Sequence, residues 1–177
     1  MEELELVECV GTELLHELSG QRGILWENIS KIEKLIQNEI EDSVSHIAGE
    51  EQSEEMKELF PLKQHIEGGL YTREIFMPKG SFVVSMIHKQ DHPSFLLKGK
   101  LSYINDQGQV EHIQGPTKIF TKQGTQRVLY IHEDCEWCCV YKTDALTFEE
   151  AEADVYTNDY KELPIELINK NKLLWQD

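Results

Sequence analysis

The chain has few basic residues and no long apolar run, and each shortage excludes a class of protein. Its 17 Lys and Arg face 33 Asp and Glu, giving a formal net charge of −16. Nucleic-acid binding depends on clustered basic side chains that neutralise phosphates, so no nucleic-acid partner is expected. A membrane-spanning helix needs about 20 mainly apolar residues in a row. The sequence has no such run, so no membrane association is expected.

Cysteine is also scarce, and the amino terminus lacks the basic and apolar regions of a secretory signal. A few free thiols fit a reducing compartment, so a cytoplasmic location is expected. Cys135 and Cys138 lie three apart in a strand-like run, where their side chains would point to opposite faces. We therefore expect buried, apolar cysteines rather than a metal-chelating pair. The four cysteines are Cys9, Cys135, Cys138 and Cys139.

Charge divides the chain into three parts. Residues 1–60 carry a net charge of −12, residues 61–145 carry +1, and residues 146–177 carry −5. The first part is predicted to be an acidic helical extension, with a short helix over 2–18 and an amphipathic helix from Ile24 to Gly49. Two interpretations of the second helix stay open. Its apolar stripe packs on the rest of the chain, or it dimerises as a coiled-coil seam does.

The middle part alternates short strand-like runs with turn residues, mostly glycine. Eight such runs spaced about ten residues apart predict an all-β sandwich or barrel over 61–145. The residues His132–Asp134 are predicted to form a solvated turn. The runs are Leu70–Met77, Phe82–His88, Ser94–Leu97, Leu101–Ile104, Val110–Ile113, Thr117–Thr121, Arg127–Ile131 and Trp137–Tyr141.

The third part, residues 146–177, is predicted to be a helical segment. Thr147 is followed three residues later by Glu150, which is typical of a capping box, so a helix to about Val155 is expected. The tail after Pro164 has enough apolar side chains to pack as another helix.

The window between Gly80 and Gly99 resembles the first motif of the cupin superfamily. The two glycines take the positions of the motif's glycines, His88 takes its second histidine position, and His92 takes its glutamate position. Met86 stands where the motif has its first histidine. The resemblance implies a mainly β chain with one cupin barrel, a double-stranded β-helix or jelly roll.

The second cupin motif is matched loosely by residues 115–124, and Arg127 takes its final histidine position. From about Leu70 to Asp144 the chain is similar to small single-cupin proteins encoded by bacteriophages. The shared stretches are Arg73–Pro78, His88–His92 and Val128–Asp134. This resemblance implies the host cytoplasm as the location, and a homodimer, because many small cupins pair.

The departures from the motif leave the chemistry of the site open. A cupin metal centre usually has three histidines and one carboxylate, whereas Met86 and Arg127 hold two of those positions here. A permanently charged guanidinium repels a cation. Even so, His88 and His92 could hold one divalent ion (Zn, Ni, Fe or Mn) with Glu74 as the carboxylate. The alternative is that no metal binds and the two histidines hydrogen-bond within a polar pocket.

Three functions follow from these alternatives. The first is a small-molecule-binding protein whose pocket takes an anionic ligand, such as a host metabolite or a nucleotide-like signal. The second is a metal-dependent isomerase, lyase or oxygenase using His88 and His92. The third is an acidic protein that contacts a partner through residues 1–60. The predicted ligand-binding residues are Arg127, His88, His92, Tyr71, Glu74 and Tyr103.

Overall fold

The computed structural model describes residues 15, 45–48, 52–105 and 109–167, and its first strand lies in the predicted extension. Strand β1 (Ser45–Ile47) pairs in parallel with β4 (Phe82–Val84). The helix expected to reach Gly49 is therefore wrong at its end, because the backbone of residues 45–47 hydrogen-bonds to a sheet. Of the helix predicted over 2–18, Leu15 is described, and it is helical and buried. Apart from residues 45–48, the other residues of both predicted helices, Cys9 and the tail from residue 168 lie outside the described residues.

Strands account for most of the remaining described chain. Helix α1 (Glu54–Leu59) follows β1, and helix α2 (Phe148–Val155) follows the last long strand. A short 3-10 turn spans Tyr160–Glu162. The other strands are β2 (Leu62–Glu67), β3 (Leu70–Met77), β5 (Ile87–His88), β6 (His92–Ile104), β7 (Val110–Gln114), β8 (Thr117–Thr121), β9 (Val128–Lys142) and β10 (Tyr156–Thr157).

Strand β9 is the centre of the sheet. Strand β6 pairs with it from Leu129 to Cys139, β4 with its first three residues and β3 with residues 135–142, each time antiparallel. Strand β6 carries β7 and β8, while β2 continues the sheet beyond β3. Within the described residues these strands form one eight-stranded sheet that surrounds an apolar interior, and β5 pairs with β10 separately. The prediction of a mainly β chain with a single barrel-like sheet is confirmed.

At two places where the sequence predicts a turn between strands, the structure has one continuous strand. The residues around Gly99 were expected to form a turn, but they lie inside β6, where the register to β9 shifts. Gly99 has φ +93°, and a Cβ there would collide with the carbonyl oxygen of Asp134 and lie 2.7 Å from Sγ of Cys135. The glycine is needed because β9 passes so close. The predicted turn His132–Asp134 likewise lies within β9.

Helix α2 confirms the helix expected after Thr147. The Thr147 hydroxyl accepts a hydrogen bond from the Glu150 amide at 3.2 Å. The Glu150 carboxylate accepts from the Leu146 amide rather than from Thr147, so the capping box is modified. Buried residues of α2 pack on the sheet, and the chain then enters β10, where Tyr156 pairs with His88. The third part therefore contributes to the barrel interior.

The described cysteines are buried and free, as the sequence predicts. Burial raises the pKa of Cys135 to about 12 and that of Cys138 to about 11, so both remain thiols at neutral pH. Among the described residues, no helix has the length and apolar character needed to cross a membrane.

Candidate ligand-binding cavity

The barrel interior holds a cavity with about 570 Å³ of empty space, part of it open to solvent. Inward-facing side chains of β3, β4, β6 and β9 form most of its wall, and Ala48, next to β1, also lines it. The part of this space that water molecules can occupy is about 60 Å³, room for a few waters or one small, compact ligand. Its polar lining residues are Arg73, Ser85, His88, Ser94, Arg127, Cys139 and Tyr156, and its apolar ones include Ile75, Met77, Val83, Met86, Leu129 and Trp137.

Arg73 enters the cavity because it lies on the inward face of β3. Its strand neighbours on that face, Ile75 and Met77, also line the cavity. The Arg73 Nε atom is buried and has no hydrogen-bond acceptor in the structure. Its nearest carboxylate oxygen is Oε1 of Glu152, at 3.6 Å on a half-exposed side chain. Arg73 is not among the site residues predicted from the sequence. The signal for it was a charged residue at the same two-residue spacing as Ile75 and Met77, and so on the apolar face of the strand.

Arg127 is the second cavity cation, and it lies immediately before β9. It is 9% exposed, and its Nη1 donates to Oγ1 of Thr121 at 3.2 Å. The guanidinium also lies 5.2 Å from the ring centroid of Tyr103. Its Nε is buried without an acceptor, and no carboxylate of the described residues forms an ion pair with it. Among the described residues its close contacts are therefore a hydroxyl and an aromatic ring, and the hydroxyl of that ring is bound to the Glu111 carboxylate.

His88 and His92 lie side by side, with ring centroids 4.6 Å apart. Strand β6 places His92 on its inward face, the face that two residues later carries Ser94 into the cavity. His92 Nδ1 donates to the carbonyl oxygen of Gln90 at 3.0 Å. Its Nε2 is then an acceptor, and it is buried without a partner in the structure. Only His88 of the pair lines the cavity directly.

Two tyrosines fix the orientation and tautomer of His88. Tyr141 donates its hydroxyl proton to the Tyr156 oxygen at 2.7 Å. The Tyr141 oxygen must therefore accept from His88 Nδ1, which lies 3.0 Å away. His88 Nε2 is left as an acceptor, and the Tyr156 hydroxyl keeps its own proton for a partner in the cavity. We call the chain His88–Tyr141–Tyr156 the relay.

Burial and neighbouring charge keep both histidines neutral. Burial lowers the pKa of His88 well below its ordinary value, and the neighbouring His92, Arg127 and Arg73 lower it further. Burial also lowers the pKa of His92 to about 4, although the hydrogen bond to Gln90 opposes the shift. Burial raises the pKa of Tyr156, so this hydroxyl stays protonated. At neutral pH the site offers guanidinium and hydroxyl donors beside neutral imidazole acceptors.

The structure brings some of the predicted site residues together and separates others. Arg127 and His88 line the cavity, and His92 lies next to His88 without lining it. Glu74 faces away from it, because it alternates with Arg73 and Ile75 along β3. Tyr71 and Tyr103 are buried but do not line the cavity. The Tyr71 hydroxyl accepts from Gln64 Nε2 at 2.6 Å, and the Tyr103 hydroxyl donates to Glu111.

This donor set does not fit the metal centre that the resemblance implied. The two imidazole nitrogens are suitable ligands, and each ring is held by a hydrogen bond at Nδ1, as metal-bound histidines commonly are. However, no third His, Cys, Asp or Glu of the described residues joins them. Two guanidinium groups lie near His88 instead, and their charge opposes a cation. A ligand set of two neutral nitrogens falls short of a stable divalent site.

Comparison with known proteins gives only distant structural likenesses. No family model and no curated protein matches the chain. The EutQ protein of Clostridium difficile is 17% identical, with 48% of this chain and 68% of that one covered and a TM-score of 0.39. An acetylacetone dioxygenase from Acinetobacter johnsonii is 16% identical, with 54% and 75% covered and a TM-score of 0.40. A cupin-2 domain protein from Shewanella frigidimarina is 12% identical, with 46% and 78% covered and a TM-score of 0.37. Likenesses this weak say nothing about activity, metal or ligand.

Proposed function

We propose that this protein binds a small anionic molecule inside its barrel. The observation that carries the proposal is that the Nε atoms of Arg73 and Arg127 are buried without an acceptor, on the wall of one cavity. A buried donor without a partner costs roughly 1–3 kcal/mol, and more when it is charged. An anion in the cavity would supply the missing acceptors and charge, which removes that cost.

An anion also fits better than a neutral or cationic ligand. Arg127 has no carboxylate partner among the described residues, and Glu152, the one near Arg73, is half-exposed. Charge-assisted hydrogen bonds from arginine to carboxylate or phosphate are among the strongest in proteins. The apolar remainder of the wall would exclude water and strengthen them.

Two measurements on the untagged protein test this proposal. Mass spectrometry of the small molecules released on denaturation should identify an anion that copurifies. Thermal unfolding with a panel of carboxylates and phosphates should show a higher midpoint for at least one of them, because a ligand that binds only the native state stabilises it. An empty cavity together with no shift across the panel would overturn the proposal.

The metal-dependent enzyme is the second candidate; the Nε2 atoms of His88 and His92 are its support, and the described residues supply no third ligand. It is tested by metal analysis of the untagged protein beside a His88→Ala/His92→Ala double variant. Equal metal content in the two proteins would exclude this candidate.

Several finer features of the proposal remain predictions. They are the homodimer, the cytoplasmic location, a phage origin with capture of a host metabolite or nucleotide-like signal, and the partner-binding role of residues 1–60. Light scattering on the intact chain tests the dimer directly.

A further inference from the structure

We propose that the ligand is a hydroxylated anion, in which a carboxylate or phosphate binds the two arginines and a nearby hydroxyl donates to His88 Nε2. This inference rests on the proposed function and narrows its ligand class. It follows from the hydrogen-bonding capacity that the cavity leaves unused.

Most polar groups in the cavity wall already have partners. The Ser85 hydroxyl donates to the Met86 carbonyl at 3.0 Å and accepts from the Arg127 amide at 2.9 Å. The Ser94 hydroxyl bonds Thr121 Oγ1 at 2.8 Å. Neither serine therefore has to pair with a ligand. The unused donors are Nε of Arg73, Nε of Arg127 and the Tyr156 hydroxyl.

The unused acceptor on the cavity wall, Nε2 of His88, is the reason why a hydroxylated anion should bind more tightly than a simple one. The relay fixes the His88 proton on Nδ1, so Nε2 of this cavity-lining ring presents a lone pair. A carboxylate has no proton to give it, and a phosphate monoester has almost none above about pH 7.5, so these oxygens would repel the lone pair. A hydroxyl on the same molecule has such a proton, and it would pair with Nε2 while the anionic group pairs with the arginines.

The positions of these groups allow one small molecule to reach all of them. Arg73 lies 5.5 Å from the ring centroid of Tyr156, and the Tyr156 ring centroid is 5.3 Å from that of His88. Arg127 bonds Thr121, which bonds Ser94 on the cavity wall. The cations therefore flank His88 rather than lying at remote ends of the barrel. Hydroxy acids and phosphorylated polyols are the two sources of this chemistry.

The test uses two matched pairs of probes that differ by one or two hydroxyls, L-malate with succinate and glycerol 3-phosphate with n-propyl phosphate. Affinities are measured by calorimetry on chelator-treated protein, so that metal-mediated binding does not contribute. We expect the hydroxylated member of at least one pair to bind about tenfold more tightly, the effect of one hydrogen bond to a desolvated acceptor. The pair that shows the preference identifies the source.

Variants of His88 connect the preference to its acceptor. His88→Phe keeps a ring of similar shape but has no acceptor, so the ratio of the two affinities within each probe pair should fall to about one. His88→Gln restores an acceptor oxygen and should recover part of the preference. Tyr141→Phe removes the hydroxyl that holds the His88 proton on Nδ1, so it should reduce the preference for the hydroxylated probe. His65→Gln changes an exposed histidine on β2 and should leave it unchanged.

Equal affinity within both pairs would overturn this inference and leave the proposed function standing. The same holds for a preference that persists in His88→Phe. Absence of binding by all four probes would overturn the inference and count against the proposed function as well, so the two failures are distinguishable.

Discussion

Arg127 shows at the scale of one residue how function can oppose stability. Its guanidinium is almost fully buried, and among the described residues its only polar side-chain partner is the Thr121 hydroxyl. Removing a charge from water costs several kcal/mol unless it is well compensated. A residue kept at such a cost is explained by a ligand rather than by packing.

Arg127→Met should therefore abolish binding of the anion while leaving the empty protein at least as stable. We expect the free energy of unfolding without ligand to stay the same or to rise by about 1 kcal/mol, because an uncompensated charge leaves the interior. Urea unfolding with and without the anion measures both effects. Lys118→Met, on the exposed face of β8, is the matched control and should retain binding. A loss of several kcal/mol in Arg127→Met would instead show that the arginine is structural.

The buried histidines predict a loss of stability in acid. Burial lowers the pKa of His92 in the folded state to about 4, whereas in the unfolded chain it titrates near 6.5. Below about 6.5 the unfolded state takes up a proton that the folded state refuses, so stability falls as the pH decreases toward 4. This difference in pKa corresponds to a loss of about 3 kcal/mol in the free energy of unfolding once the pH is below both pKa values. His88 acts in the same direction.

Urea unfolding at a series of pH values checks this slope. His92→Gln, whose side chain is neutral throughout, should flatten the decline between pH 6.5 and 4. His65→Gln, which changes an exposed histidine, should not. A wild-type protein equally stable at both ends of that range would contradict the buried, neutral state of the pair.

At the scale of elements, short-range patterns predicted the presence of strands better than their ends. Alternating apolar residues identified β3 and β8 closely, and the Thr147 cap identified α2. Strands β6 and β9 were each predicted as two shorter strands, because the glycine and charged residues of a bulge resemble those of a turn. Which glycines tolerate a side chain depends on a neighbouring strand that is remote in sequence.

The glycines at the ends of the cupin-like window therefore differ in their tolerance of alanine. Gly80 has φ +81° and open space around it, so Gly80→Ala should cost only the backbone strain, about 1–2 kcal/mol. Gly99→Ala adds a collision with the backbone of β9 and should cost several kcal/mol or prevent folding. Urea unfolding, or soluble yield where Gly99→Ala does not fold, compares them. Equal costs would show that β9 can move away from β6.

The candidate site was predictable only in part, for a similar reason. His88 and His92 are close in sequence, so their spacing indicated a shared pocket. Tyr141 and Tyr156 come from β9 and β10, and only the packing of α2 brings Tyr156 to His88. Glu74 was selected for its chemistry, but the alternation of β3 turns it away from the cavity.

At the scale of the whole molecule, charge is the dominant property. A net charge of −16 on 177 residues makes the compact state repel itself. Exposed ion pairs such as Lys100–Glu133 add little, because solvent screens them. The barrel is thus a nearly neutral body in an acidic chain, with two of its positive charges, Arg73 and Arg127, on the wall of the cavity.

Moderate salt should therefore stabilise the protein. We expect the thermal midpoint to rise between low ionic strength and about 0.15 M, where screening acts beyond about 8 Å. Repeating the measurement on Arg127→Met separates general screening from binding of the salt's anion in the cavity, since only screening persists in the variant. A midpoint that falls with salt would show that attractive ion pairs outweigh the repulsion.

The central place of β9 also sets the order in which the chain can fold during synthesis. Strands β3, β4 and β6 all wait for a strand that begins at Val128 and ends at Lys142. Until that segment leaves the ribosome, their open edges lack the partner that joins them, and such edges are prone to aggregation. Pairings this distant in sequence also form slowly. A translational pause that leaves β9 inside the ribosome would therefore expose the nascent chain to chaperones or aggregation, whereas a pause after β9 has emerged would allow these strands to pair.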